Sequence, residues 1–296
     1  MNYLEKVENF LQKKSNKKKL IVIYWPTASG KTKMSIDIAK KINSEIISTD
    51  SRQIFKDSDI WTAKISQKEM QNIKHHMIDI CDLNDNFSVW EYKKQAENIM
   101  EKLYLQNKIP ILAGWTGLYI DSIIYDFEIP EVVWDEKLRK KLEDEAKTFW
   151  VDFLYEKLKK LDPKNYHKVH KNNIQYVIRA LEVIILSWKS KYENTTEKKL
   201  KYDILFLTPY DWDREKLYER INKRVDLMFE QGLEEEIKTL IKKWYNKNSF
   251  GLKSIWYTEY FDYLDWKYSF EEMIDKIKQH SRNYAKRQLT WFRKYK

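Results

Sequence analysis

Residues Ile21 to Thr32 read IVIYWPTASGKT. The stretch opens on a short apolar run, Ile21-Val22-Ile23-Tyr24, of the length of a buried strand. Small and turn-forming residues follow. Gly30-Lys31-Thr32 then opens a segment in which Met34, Ile38 and Ile42 recur at helical spacing. Strand, tight loop and helix are the setting of a P-loop, G-x-x-x-x-G-K-[ST]. In that motif the loop's N–H groups wrap a phosphate chain, the lysine neutralises its oxygens and the hydroxyl holds Mg²⁺. Gly30, Lys31 and Thr32 fit, whereas Trp25 occupies the first glycine position. A plain strand-to-helix turn with a surface lysine would not explain why Ala28, Ser29, Gly30 and Thr32 are all small. Trp25, Pro26, Thr27, Ala28, Ser29, Gly30, Lys31 and Thr32 are therefore the expected phosphate loop, with Thr32 the expected ligand of the metal.

Composition bounds what surrounds this loop. The chain has 296 residues, 43% of them apolar, which is enough for a real core. A formal charge of +10 points towards a polyanionic partner, although a lysine-rich proteome would produce the same excess. The single cysteine, Cys81, excludes a disulfide framework and a cysteine zinc site and suits a reducing cytoplasm. Its place after Met77-Ile78-Asp79-Ile80 reads as a buried thiol at a strand end. No apolar run reaches 18 residues, so neither a signal peptide nor a membrane span is expected.

Further apolar runs extend the α/β pattern. Glu45-Ile46-Ile47-Ser48-Thr49 ends in Asp50-Ser51-Arg52-Gln53. Ligands of open parallel sheets sit outside the carboxyl ends of the strands, so Asp50 is expected beside the phosphate loop, whether or not it also caps a helix. His75 to Ile80 reads as a third strand, its paired histidines marking strand entry and not metal. Phe87-Ser88-Val89 leads a helix to about Leu105. Ile109 to Ala113 is a further strand, ending in Gly114-Trp115-Thr116-Gly117, a second small-residue loop able to line the same pocket. From about Asp135 to Lys198 helix follows helix. Tyr202 to Leu207 returns as a strand, and helices fill the remainder. The last of them ends in RNYAKRQLTWFR, Arg282 to Arg293, where cations and aromatics alternate as phosphate contact and base stacking require.

In order along the chain stand PTASGKT (Pro26 to Thr32), EIISTDSRQIF (Glu45 to Phe55), DIWTAK (Asp59 to Lys64), HHMIDI (His75 to Ile80), ILAGWTGLY (Ile111 to Tyr119), RALEV (Arg179 to Val183), EQGLEEE (Glu230 to Glu236) and YAKRQLTWFR (Tyr284 to Arg293). Together they resemble the tRNA dimethylallyltransferases, also called tRNA isopentenyltransferases, of bacterial type. The resemblance implies transfer of a dimethylallyl group from dimethylallyl diphosphate to N6 of the adenosine at tRNA position 37, with Mg²⁺ assisting. The P-loop would then hold the donor's diphosphate and not ATP.

The implied fold is a P-loop, nucleoside-kinase-like parallel sheet core with an all-helical insertion and a helical C-terminal region. Residues 1–18 would form an N-terminal helix and basic linker, 19–134 the first part of the core, 135–200 the insertion that grips the anticodon stem, and 201–296 the return to the core. By resemblance Asp50, Thr116 and Lys31 are catalytic, Asp50 accepting a proton from the adenine amine and Thr116 touching the target nucleotide. The resemblance also assigns tRNA contacts to Asp50, Ser51, Arg52, Gln53, Thr116, Arg139, Gln175, Tyr176, Val177, Ile178 and Arg179. Arg282, Lys286 and Arg287 are added as further phosphate contacts. A cytoplasmic monomer is expected. A P-loop small-molecule kinase and an RNA-binding protein that has lost catalysis are the competing readings.

Tryptophan and glycine usage departs from both. The chain has 12 tryptophans and 5 glycines, where average usage would give about 20 glycines. Trp25, Trp61, Trp115 and Trp256 stand where the family pattern has glycine, and Trp150, Trp188, Trp244 and Trp266 are read the same way. A cell that reads UGA as glycine, its gene translated with UGA as tryptophan, would give this pattern. Genuine tryptophans at 25 and 115 would instead predict an impaired enzyme with the same fold.

Overall fold

The computed structural model describes residues 2–25, 30–125, 135–192, 199–209 and 213–295. The chain divides into two compact units. One is Met1–Ile124 with Leu200–Lys296, and the other is Tyr125–Lys199.

The first unit runs α1 (Tyr3–Gln12), β1 (Lys19–Tyr24), α2 (Lys31–Lys41), β2 (Ile46–Thr49), α3 (Gln67–Met70), β3 (His75–His76), α4 (Val89–Leu105), β4 (Ile111–Gly114) and α5 (Gly117–Ile124). The second unit contributes α6 (Glu136–Leu161) and α7 (Ile174–Ser187). The chain then completes the first unit with β5 (Asp203–Leu207), α8 (Arg214–Glu230), α9 (Leu233–Lys242), α10 (Ile255–Leu264) and α11 (Phe270–Phe292).

The strands form one sheet in the order β3-β2-β4-β1-β5, every pairing parallel. β1 is buried along nearly its whole length, as a strand covered on both faces must be. Ile21, Ile23, Ile46 and Ile111 pack with Val7 and Phe10 of α1 and Met34 and Ile38 of α2. Tyr24 and Thr49 both lie opposite Gly114, so three strands end side by side. Only glycine fits at 114, because a Cβ there would lie 2.3 Å from Thr49 Oγ1. That close approach brings the loops after β2 and β4 together.

The third strand is shorter than the apolar pattern suggests. Only His75–His76 pairs with β2, and Met77 and Asp79 turn into the left-handed region at φ 62° and 55°. The N–H groups of Asp79, Ile80 and Cys81 donate instead to the carbonyls of Gln53 and Ile54. The backbone bonds thus go to the loop after β2, which they hold in place. Cys81 is buried, and burial raises its thiol to about 11.

The second unit has its own apolar core. Leu142, Leu154 and Leu158 of α6 pack against Val177, Ile178 and Leu181 of α7. Val177 and Ile178 are fully buried there, so the tRNA contact expected of these two residues is corrected: they hold the unit together. The exposed face of α7 carries Gln175 and Tyr176, with the Lys191 ammonium 5.1 Å from the Tyr176 ring centre.

Candidate active site

At the carboxyl edge of the sheet lies a cavity of about 260 Å³. Lys31 and Thr32 reach it from the start of α2, Asp50 from the end of β2, Trp115 from the end of β4, and Arg224 from the middle of α8. Gly30 opens α2 with φ 84° and ψ 17°, a left-handed conformation that glycine adopts without steric penalty. Pro26, Thr27, Ala28 and Ser29 lie outside the described residues.

Asp50 is 3% exposed. Its Oδ1 accepts from the Arg52 N–H at 2.8 Å, and its Oδ2 accepts from Trp115 Nε1. Burial pushes its carboxyl up to about 6, although the Arg52 N–H and the positive charges of Lys31 and Arg224 oppose the shift. Lys31 is moved the other way, down to about 7, first by burial and then by the like charge of Arg224. Arg224 is itself lowered to about 10 by burial, with Asp50 opposing. The cavity therefore sets two half-buried cations beside one buried carboxylate, where charge interactions are stronger than in bulk water.

Thr116 stands next to this group. Its N–H donates to the Thr49 carbonyl at 2.9 Å, and its Oγ1 accepts from the Ser51 N–H at 3.0 Å. Gln53 spans the other side, its Nε2 donating to the carbonyls of Thr62 and Ala63 at 3.3 Å each. Arg52 is half-buried near Tyr284 of α11, and the Trp115 ring meets Tyr284 edge-on at 5.2 Å. Gln288 Nε2 donates to the Trp115 carbonyl at 3.4 Å. α11 thus packs behind Trp115.

Trp25 is not in the cavity. Its backbone does not take a left-handed φ, and its ring is buried among Leu217, Ile221, Ala285 and Leu289. Position 25 therefore needs no glycine for its own backbone angle. Trp115 is the tryptophan that meets the site.

Arg224 was not foreseen from the residues. It reads as one more cation on a charged helix. The available signal was its place at the edge of the buried stripe Leu217, Ile221, Val225 and Met228.

The remaining expected residues lie elsewhere. Arg282 Nη1 donates to Asn222 Oδ1 at 2.6 Å, so it joins α11 to α8. Lys286 and Arg287 are exposed, and the Arg287 guanidinium sits 5.3 Å from the Tyr284 ring centre. In the second unit, Arg139 Nε lies 3.3 Å and Arg179 Nη1 3.2 Å from the carboxylate of Glu182, which is buried.

Residues 53–295 match the family model described as IPP transferase. The chain belongs to the IPP transferase family. The tRNA dimethylallyltransferase of Acetivibrio thermocellus is 45% identical over 277 residues, covering 93% of this chain and 88% of that protein. That of Alkaliphilus oremlandii is 46% identical over 289 residues, covering 94% and 90%. Among solved structures, the tRNA isopentenylpyrophosphate transferase of Bacillus halodurans is 41% identical with a TM-score of 0.67, covering 94% of this chain and 87% of that one. A eukaryotic dimethylallyltransferase captured acting on tRNA is 33% identical with a TM-score of 0.79, covering 93% and 70%. The family match begins at Gln53, so the phosphate loop is recognised from its own residues. No helix among the described residues is long and apolar enough to cross a membrane.

Proposed function

We propose that this IPP transferase moves a dimethylallyl group from dimethylallyl diphosphate to N6 of an adenosine in the anticodon loop of tRNA, at position 37. The observation that carries the proposal is the single cavity in which Lys31, Thr32 and Arg224 face Asp50. The bond from the adenine nitrogen to C1 of the allyl group forms as the C1–O bond breaks, and its electron pair leaves with diphosphate. Lys31 and Arg224 stabilise the charge that builds on the departing oxygens. Asp50 takes the proton that the amine gives up. A carboxyl raised to about 6 is ionised at neutral pH yet close to the value that suits a general base. Thr116 and Ser51, bonded to each other, border the acceptor side. The adenosine must leave its stack to reach Asp50.

Thr32 lines the cavity and offers a hydroxyl oxygen to a metal. Such a donor set fits a hydrated Mg²⁺ held mainly by the substrate's diphosphate with Thr32 as its protein ligand. When bound, the ion would neutralise charge on the leaving group.

The exposed Gln175 and Tyr176, with Arg179, offer stacking and phosphate contacts to the anticodon stem, and the exposed Lys286 and Arg287 offer further ones. The protein would act as a cytoplasmic monomer.

Trp115 favours a second reading, an RNA-binding protein with little turnover, because its indole N–H occupies one oxygen of the general base. Labelled dimethylallyl diphosphate, ATP and undermodified tRNA, incubated with the chain as written and with Trp115→Gly, separate the readings. Label on tRNA from either protein supports the transferase. ATP consumption with a small acceptor would mean a kinase, and tRNA binding without label from both proteins would mean the second reading.

A further inference from the structure

Four tryptophans hold positive-φ backbone conformations that favour glycine. Trp150 has φ 69° and ψ 163°, a region that side chains exclude almost completely. It sits at a kink where two helical segments of α6 meet. Trp188 ends α7 at φ 57° and ψ 15°. Trp244 and Trp266 follow the ends of α9 and α10 at φ 69° and 61°. Helices commonly stop on a left-handed residue, usually glycine and sometimes asparagine. Three longer helices follow that rule: α2 is followed by Asn43, α4 by Asn107 and α8 by Gly232, all at positive φ, while the one-turn α3 ends on Gln71 at φ 48°. Only α7, α9 and α10 stop on tryptophan. The rings gain nothing in exchange, since all four are at least 80% exposed.

Other tryptophans behave as tryptophan should. The Trp291 ring covers Gly117 so closely that a Cβ there would lie 2.3 Å from it, and the Lys294 ammonium sits 4.2 Å from the ring centre. Trp291 has no left-handed backbone. Two populations under one letter are the mark of two codons under one letter. Tryptophan has the single codon UGG, and UGA differs from it in the last base.

We propose that the working protein carries glycine at positions 150, 188, 244 and 266, encoded by UGA that its cell reads as glycine. The same exchange extends to position 115 on a separate ground, since Trp115 has no left-handed backbone: it stands at a glycine position of the family pattern and its indole covers Asp50. Glycine there leaves Oδ2 of Asp50 open and widens the cavity towards Tyr284, so residue 115 becomes the determinant of how far an acceptor group can enter. The inference does not rest on the reaction assigned above: the backbone angles stand whatever the substrate.

The test has two arms, the codons of the gene and peptide mass spectrometry of the protein isolated from its own cells. The expected result is UGA with the residue mass of glycine at 150, 188, 244, 266 and 115, and UGG with the mass of tryptophan at 291. UGG at any of the four left-handed positions, or tryptophan in their peptides, overturns the inference. UGG at 115 alone overturns its extension to the site. An inactive transferase would leave these readings unmoved, so the two proposals fail separately.

Discussion

A chain made with tryptophan at all twelve positions should become more stable when Trp150, Trp188, Trp244 and Trp266 are replaced by glycine. A left-handed conformation costs an ordinary residue about 1–2 kcal/mol, and the region held by Trp150 about 1–3 kcal/mol. The rings are 80% to 94% exposed, so removing them forfeits little burial. Glycine loses more backbone freedom on folding, which returns roughly 0.5–1 kcal/mol. The net gain is about 1 kcal/mol per site. Two sites fall in each compact unit, and distant sites add, so each unit gains about 2 kcal/mol. At about 2 °C or more per kcal/mol, each transition should rise by at least ~4 °C. Scanning calorimetry on the recombinant protein, its quadruple variant and the two pairs reads this directly, with each pair moving mainly its own transition. Trp291→Gly is the control and should lower the midpoint. Unchanged or lower midpoints for both pairs would refute the argument from backbone angles.

Trp115→Gly should raise transfer to tRNA by roughly tenfold or more, given that small misplacements at a reacting centre cost about 10²-fold; the rate of label incorporation checks it. Asp50→Asn should lower kcat by about 10²- to 10⁴-fold, the usual share of a general base. Lys31→Ala should cost about 10²- to 10³-fold in kcat/KM for the diphosphate donor, read by steady-state kinetics. The profile of kcat/KM against pH should be bell-shaped. It rises as Asp50 ionises near 6 and falls as Lys31 loses its proton near 7, and Asp50→Asn should remove the rising limb. Glu182→Ala should destabilise the second unit by about 3–5 kcal/mol, since it strips Arg139 and Arg179 of a buried counter-charge; chemical denaturation would measure the loss.

Much of this molecule was readable from local pattern. The apolar runs at Ile21 and Ile46, the glycine at 30 and the capped helix beginning at Val89 are set by residues a few places apart. So was Asp50, because the end of a buried parallel strand is where such sheets place a ligand. The strand expected over His75 to Ile80 failed because its backbone groups pair with Gln53 and Ile54, a choice made across some 25 residues. Val177 and Ile178 went to a core because burial depends on which face α6 covers.

The excess of tryptophan and the scarcity of glycine were plain in the residues themselves, since counting needs no coordinates. Which tryptophans matter was not. Only the folded backbone separates Trp188 at the end of a helix from Trp291 against Gly117, because φ is a property of a conformation and not of a letter. The same holds for Arg224, which some 170 residues of intervening chain must fold to bring opposite Asp50. Neighbouring residues write the strands, loops and helices, and long-range packing alone decides which charges share one cavity.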